Sequence, residues 1–309
     1  MKKIENILIC GAGMMGKNIG FVFASNPAFR VGLYDLYPTD VEAGIRTNTR
    51  QLVEKGVLTE EELAGRLSRV SFTDSLDSPL VRDADLVIEA VFEDMDIKRE
   101  TFAKLEACCR PDCIFCTNSS VMSPSEISAQ LTHRERFAGT HFWNPGHLIP
   151  LVEVVKSDAT SEETAQTVME VLRSVGKKPV LCKKDVPGFI ANRMQHALWR
   201  EAISIVERGI ADAATVDEAV RYSFGLRLPQ LGPMENADMV GPDLTFNIHD
   251  YILRDLEDSH APSPLLKDLR DAGKLGFKSG QGFQTWTPEQ VSQSSAELNE
   301  YLIRMLYGK

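Results

Sequence analysis

His141 and Glu153 are the pair in this chain whose types and spacing point most directly to proton transfer. An imidazole exchanges a proton near neutral pH, and a carboxylate against one ring nitrogen fixes its tautomer and favours its charged form. The spacing allows that contact. His141 ends a β-type run, Phe137-Ala-Gly-Thr-His141, that enters a turn at Pro145, and a second run, Pro150-Leu-Val-Glu153-Val-Val155, returns twelve positions on. Ser120, just after the run Cys113-Ile-Phe-Cys-Thr117, and Asn192, at the start of a long helical stretch, add a hydroxyl and an amide that can hold a substrate oxygen. Position alone leaves other readings open. A histidine at a strand end is commonly structural, Ser119-Ser120 can cap a turn, and Asn192 can be an ordinary helix residue. His147 lies in the same turn and is a rival base, whereas His133 and His260 sit in polar stretches and His196 and His249 in helices.

These groups need an element to hold a reaction partner beside them, and the stretch from Ile7 to Gly16 supplies it. It reads I-L-I-C-G-A-G-M-M-G, an apolar run followed by Gly11, Gly13 and Gly16 in the pattern G-x-G-x-x-G. A buried strand to Cys10 is predicted, then a helix from Met15 to Ala24. Gly11 permits the tight turn, Gly13 lets a pyrophosphate approach the backbone, and Gly16 allows close packing of helix on strand. The loop Gly11-Ala12-Gly13-Met14-Met15-Gly16 is therefore the candidate phosphate cradle, with the helix N-terminus aimed at the charge. A second run, Arg30-Val-Gly-Leu-Tyr-Asp35, ends on an acid about 20 residues beyond the glycines. Asp35 would accept hydrogen bonds from ribose hydroxyls and repel a 2′-phosphate, so the pattern favours NAD over NADP. The rival is a βαβ turn that binds nothing.

Strand-like and helix-like stretches alternate as far as Pro179-Val-Leu-Cys-Lys183, which predicts a mostly parallel sheet with right-handed crossovers. Beyond Asp185-Val-Pro-Gly188 the pattern turns helical. The fold expected is α/β: a Rossmann-type domain over residues 1–184, then an all-α domain over residues 185–309 that carries substrate and dimer contacts. A helical hairpin is expected between Pro38 and Arg69, its second helix capped by Thr59 with Glu62 at the capping-box position. The apolar stretch from Phe189 to Arg208 is expected to be buried, within its domain or against a second subunit.

Composition narrows the class. The chain has 309 residues, is 43% hydrophobic and 25% charged, and carries a net charge of -10, which argues against non-specific nucleic-acid or anionic-membrane binding. No apolar run reaches the roughly 18 residues of a membrane span, and the first residues lead straight into the first strand, so a cytoplasmic protein is expected. Of the six cysteines, Cys109, Cys113 and Cys116 could suggest metal spacing, but no second C-x-x-C or H-x-x-x-H follows. Buried free thiols are the better reading, with no metal.

Several motifs in one order resemble the L-3-hydroxyacyl-CoA dehydrogenase family over nearly the whole chain. They are G-A-G-M-M-G at 11–16, E-A-V-F-E-D-M-D-I-K at 89–98, T-N-S-S at 117–120 and H-F-W-N-P at 141–145. L-V-E-V-V at 151–155, D-V-P-G-F-I-A-N-R at 185–193 and K-L-G-F-K-S-G-Q-G-F at 274–283 complete the set. The resemblance implies NAD-dependent interconversion of a 3-hydroxyacyl-CoA and a 3-oxoacyl-CoA. It makes His141 the general base, Glu153 its partner, and Ser120 and Asn192 the holders of the substrate's 3-oxygen. It places Glu93, Lys98, Asn118, Asn144 and Lys278 on the cofactor side and implies a homodimer through the helical domain. Two departures point toward relatives acting on smaller hydroxy acids without CoA, such as carnitine dehydrogenase and L-gulonate dehydrogenase with its lens relative lambda-crystallin. The turn after Asn144 reads P-G-H-L-I-P, and the hairpin is acidic at Glu60-Glu61-Glu62. A non-catalytic, crystallin-like binding protein is the remaining alternative.

Overall fold

The first strand is apolar at every interior position because both of its faces are covered. In a computed structural model, which describes residues 2–308, Ile7 and Ile9 enter one core cluster with Ile19 and Phe23. Leu8 and Cys10 enter another with Phe102 and Leu105. Alternation along one strand thus divides its side chains between two helical layers.

The strands are β1 (Asn6–Cys10), β2 (Arg30–Tyr34), β3 (Val70–Thr73), β4 (Leu86–Glu89), β5 (Ile114–Thr117), β6 (Phe137–Phe142), β7 (Leu151–Lys156) and β8 (Lys178–Cys182). They form one eight-stranded sheet in the order β3-β2-β1-β4-β5-β6-β7-β8. β1 to β6 run parallel, and β7 turns back antiparallel to β6. Helices α1 (Met14–Phe23), α2 (Val41–Glu54), α3 (Glu60–Leu67), α4 (Pro79–Arg82), α5 (Met95–Cys108), α6 (Pro124–Ile127) and α7 (Glu162–Ser174) fall between strands. After β8 come α8 (Ala191–Glu207), α9 (Ala213–Arg221), α10 (Phe224–Arg227), α11 (Pro233–Val240), α12 (Pro242–Ile252), α13 (Pro264–Asp271) and α14 (Pro288–Tyr307). The expected α/β architecture, a mostly parallel Rossmann-type sheet followed by helices, is what the chain adopts. The hairpin is α2 and α3, and Thr59 and Glu62 close a reciprocal capping box at the start of α3.

The chain divides into two compact units, Met1–Arg193 with Glu297–Lys309, and Met194–Ala296. The sequence reading put the boundary near Lys184. The sheet unit instead runs to Arg193, because the first turn of α8 is hydrogen-bonded to a carboxylate of β7. It also takes back the end of α14, where Ile303 is buried in the main core cluster. Asn192 consequently belongs to the sheet unit, not to the helical one. The apolar stretch of α8 is less covered than its composition suggests: Met194 and Trp199 are 51% and 50% exposed. No helix among the described residues is long and apolar enough to cross a membrane.

The glycine turn is a steric device at two positions. Gly11 has φ +106, and a Cβ there would lie 2.6 Å from the Ala90 carbonyl oxygen. A Cβ on Gly16 would lie 1.8 Å from the carbonyl oxygen of Gly11, so any side chain forces helix from strand. At Gly13 nothing lies within 4 Å. Gly16→Ala is therefore expected to lower the thermal unfolding midpoint by several degrees, an overpacking cost of about 1–3 kcal/mol. Gly13→Ala should change it far less. Circular-dichroism melting of the two variants checks the contrast, and equal midpoints would contradict it.

Candidate active site

The carboxyl end of the sheet gathers most of the residues singled out from the sequence. His141 and Glu153 are directly paired positions of the antiparallel β6–β7 ladder. His141 Nδ1 lies 2.8 Å from Glu153 Oε2, with both residues buried. An ionised carboxylate only accepts, so Nδ1 carries the hydrogen and Nε2 is left as the basic nitrogen. Glu153 accepts more than this. Its other oxygen takes the backbone N–H groups of Ile190 and Ala191, each at 2.9 Å, and Trp143 Nε1 donates to Oε2 at 3.3 Å. Burial alone would raise the Glu153 pKa. The hydrogen bonds from His141 and from the Ala191 and Ile190 amides outweigh it and hold the carboxyl below its ordinary range. A depressed folded-state pKa means the anion stabilises the fold above the ordinary carboxylate range, and this is lost as pH falls through the depressed value.

Two features of this arrangement escaped the sequence reading. Phe189 has φ +50, in the left-handed region that bulky residues avoid, and follows Gly188 at φ +75. These two residues turn the chain so that the next two amides meet Glu153, while the buried Phe189 ring sits 5.8 Å from the imidazole. Pro187-Gly188 is the only sequence signal of that turn. Trp143, whose ring lies 5.3 Å from that of His141, is the second omission.

Ser120 is exposed at the end of β5, and Asn192 Nδ2 donates to its carbonyl at 3.0 Å. Asn118 accepts the Phe142 amide at 2.9 Å, tying β5 to the end of β6. Asn144 is exposed in the turn beyond β6, and Lys278 is exposed in the other compact unit. His147, the rival base, is pushed down to about 4 by burial and then by the Lys177 charge. It faces a different cavity.

Glu93 and Lys98 occupy unlike places. Glu93 accepts the Ser120 amide at 3.1 Å and the Ser119 hydroxyl. Lys98 is 1% exposed, and its ammonium lies 2.7 Å from Glu89 and 3.1 Å from Glu93. Lys98 thus reaches the site through Glu93. Glu89, wholly buried and not singled out from the sequence, also accepts the Thr117 hydroxyl at 2.6 Å and the Val91 amide at 2.8 Å. Burial raises the Glu89 pKa, with Lys98 opposing. The signal for Glu89 was an acid closing an otherwise apolar strand.

The glycine loop fits a dinucleotide. Gly13 caps α1 without any side-chain hydrogen bond, and no acid occupies the first turn, so the helix N-terminus is free of competing anions. Asp35 Oδ2 accepts the Ala12 amide at 2.8 Å, which holds the acid at the rim of the loop. Three cations of the hairpin are otherwise engaged. Arg46 pairs with Glu42 and Glu60, Arg50 with Glu54, and Lys55 with Glu300 of α14 at 2.7 Å.

Comparison with known proteins divides the chain a few residues before the boundary of the compact units. Residues 6–186 match the family described as 3-hydroxyacyl-CoA dehydrogenase, NAD binding domain, and residues 188–286 its C-terminal domain. The 5-formyl-3-hydroxy-2-methylpyridine 4-carboxylate 5-dehydrogenase of Mesorhizobium japonicum is 34% identical, over 99% of each chain. A probable 3-hydroxybutyryl-CoA dehydrogenase of Bacillus subtilis is 38% identical over 91% of this chain and 97% of its own. Among solved structures, one of a 5-formyl-3-hydroxy-2-methylpyridine 4-carboxylic acid 5-dehydrogenase, described as an NAD+-dependent dismutase, superposes with a TM-score of 0.90 at 33% identity. It covers 99% of this chain and 100% of that one. The (S)-3-hydroxybutyryl-CoA dehydrogenase of Ralstonia eutropha gives 0.77 at 29% identity, over 92% and 100%. The cofactor of the sheet domain is NAD.

The buried charges make a stability test. Lys98→Met leaves Glu89 without its cation and should cost about 3–5 kcal/mol, whereas the double variant Glu89→Gln, Lys98→Met recovers much of that loss. Urea unfolding of the single and double variants measures both, and a double variant no more stable than Lys98→Met would refute the pairing.

Proposed function

The chain belongs to the 3-hydroxyacyl-CoA dehydrogenase family, and from that premise we propose that it interconverts the hydroxyl and carbonyl forms of a small hydroxy carboxylate that carries no CoA. The observation that supports this substrate class is the state of the hairpin. Each of its three outward cations, Arg46, Arg50 and Lys55, is committed to a carboxylate of this chain. A CoA phosphate would have to compete with these carboxylates for each of the three. Lys55 is held by α14, a helix that begins at Pro288, beyond the end of the family match at residue 286. The pyridine-carboxylate relative, whose name includes no CoA, matches this chain over 99% of both lengths.

The geometry of His141 supports the following catalytic roles. With Nδ1–H on Glu153, the Nε2 lone pair takes the substrate's hydroxyl proton, and the buried carboxylate stabilises the imidazolium that forms. Bound NAD would supply the acceptor for the hydride that leaves the carbinol carbon. The Ser120 hydroxyl and the remaining N–H of the Asn192 amide hold the substrate oxygen. Glu93, braced by Lys98, fixes the loop that carries Ser120 and offers its remaining acceptor capacity to the nicotinamide ribose. Asp35 would take the adenosine ribose, and the 11–16 loop the pyrophosphate. In the reverse direction the imidazolium returns its proton to the alkoxide.

We propose further that the chain is a homodimer through its helical unit. Met194 and Trp199 on α8, and Phe246 on α12 at 71% exposure, are large apolar side chains in water that a partner chain would cover.

His141→Gln is expected to lower kcat by a factor of about 10³ or more while NADH affinity stays within about twofold. Fluorescence titration and a steady-state assay separate the two, and retained turnover would remove His141 from the mechanism. On the wild type, kcat/KM for acetoacetyl-CoA should fall below that for uncoupled 3-hydroxy and pyridine carboxylates, and the opposite ranking would restore the thioester as substrate. Light scattering is expected to give the mass of two chains, and Trp199→Glu the mass of one; a monomeric wild type would refute the dimer.

A further inference from the structure

On the face of the sheet opposite His141 there is a second cavity, of about 430 Å³. His141 and Phe142 are successive residues of β6 and so point to opposite faces. Phe142 lies on the cavity's side, its ring centroid 5.8 Å from Lys177 Nζ. The walls come only from the sheet-bearing unit: the end of α1, the hairpin, the β6–β7 and α7–β8 turns, and the last turn of α14. None of the residues assigned above to catalysis or to the dinucleotide lines it.

Its lining divides sharply. Phe21, Leu52 and Leu58 form an apolar floor, and Arg66, Lys177, Lys178 and His147 bring the polar groups. No carboxylate is among the described residues that line it. Arg66 stacks its guanidinium 4.7 Å over the Phe21 ring, and among the described residues it makes no direct hydrogen bond or ion pair, Glu62 and Tyr307 acting on its charge only at longer range. Five N–H donors at the edge of an apolar pocket are thus left for something else. Lys177 is 6% exposed, and donates to the Gly146 and Ile149 carbonyls at 2.6 and 2.7 Å. Those two bonds use two of its three N–H groups. Burial lowers Lys177 to about 8, so a buried cation stands there, and no ion pair joins it to a carboxylate among the described residues. His147 Nδ1 is buried without a partner.

We infer that this cavity is a second binding site, for a small amphipathic anion whose carboxylate or phosphate head meets Arg66 and Lys177 and whose apolar body lies on Phe21, Leu52 and Leu58. The volume falls in the range of small-molecule sites, and the mix of an apolar wall with a few converging donors is their usual character. Tyr307 of α14 closes one side, so the site depends on a helix beyond the family match. It does not rest on the proposed chemistry at His141.

Calorimetric titration of the full-length protein, saturated with NADH, with octanoate, octyl phosphate and octanol tests it. One of the two anions is expected to bind at a single site at least tenfold more tightly than octanol, and which anion does so identifies the head group. Arg66→Gln should weaken that binding tenfold or more, as loss of a charge-assisted hydrogen bond does. Arg66→Lys should keep part of it, and kcat/KM should be unchanged in both variants. His141→Gln should leave the binding intact, which separates this site from the catalytic reading. Backbone amide shifts on octanoate addition should appear at Leu148 and Gly176, a readout that needs no variant. Octanol binding as tightly as both anions, or Arg66→Gln binding as the wild type does, would overturn the proposal. So would amide shifts confined to the His141 face.

Discussion

One carboxylate holds the candidate site together. Glu153 receives the imidazole of His141, the indole of Trp143 and the backbone amides of Ile190 and Ala191. These donors come from β6, from the turn after it and from the start of α8. A buried anion without such partners would be expelled or protonated. The chain must therefore bring all these segments to Glu153 to keep it charged, and a charged Glu153 fixes the base in one tautomer. Position and protonation state are settled by the same contacts. The antiparallel return of β7 is what makes this possible: opposed residues in a ladder sit close enough for their side chains to meet.

A second buried charge works in the same manner on neighbouring strands. Glu89 ends β4, Thr117 ends β5, and Lys98 rises from α5 to meet Glu89 beneath the loop that carries Ser119 and Ser120. Lys98 spends its charge on Glu89 and Glu93 together. The exposed rim of the site, where Glu93 and Ser120 stand, is thus anchored to groups that solvent does not reach. Hydrogen bonds among them need no reorganisation when a ligand arrives, which is the advantage of building a site on strand ends rather than on free loops.

The architecture was legible because it rests on short-range regularities. Apolar runs split by helix-period stretches gave every strand of the sheet, Thr59 and Glu62 gave the start of α3, and the spacing of Gly11, Gly13 and Gly16 gave the turn with its steric logic. The contact between His141 and Glu153 was legible for a related reason, since two short runs around a proline turn have few ways to pair. What the sequence hid are contacts made by backbone groups and by residues of unremarkable type. No pattern marks Ile190 and Ala191 as donors to a glutamate, because any residue has an amide; their aim is set by the left-handed turn at Gly188 and Phe189. Lys98 was placed on the cofactor side by the family resemblance alone. Only the fold shows that it lies under Glu93. The unit boundary was hidden likewise, since α8 begins on the sheet and α14 returns to it.

The hairpin's electrostatics bear on substrate size through their sum more than through any single pair. Exposed ion pairs are worth roughly 0–1 kcal/mol each and open readily for a better partner, so the pairing of Arg46, Arg50 and Lys55 would not by itself exclude a phosphate. The segment from 40 to 66 holds six acids, Asp40, Glu42, Glu54, Glu60, Glu61 and Glu62, against four bases, Arg46, Arg50, Lys55 and Arg66. A tail bearing several phosphates would have to approach this excess of negative charge on a chain already at -10. A small carboxylate bound at the strand ends, beside the buried His141–Glu153 pair, does not cross that field. Arg66 is the hairpin base that makes no direct ion pair with these acids, Glu62 acting on it only at longer range. It turns instead toward Phe21 and the second cavity, so the one cation the hairpin leaves uncommitted faces away from the catalytic edge.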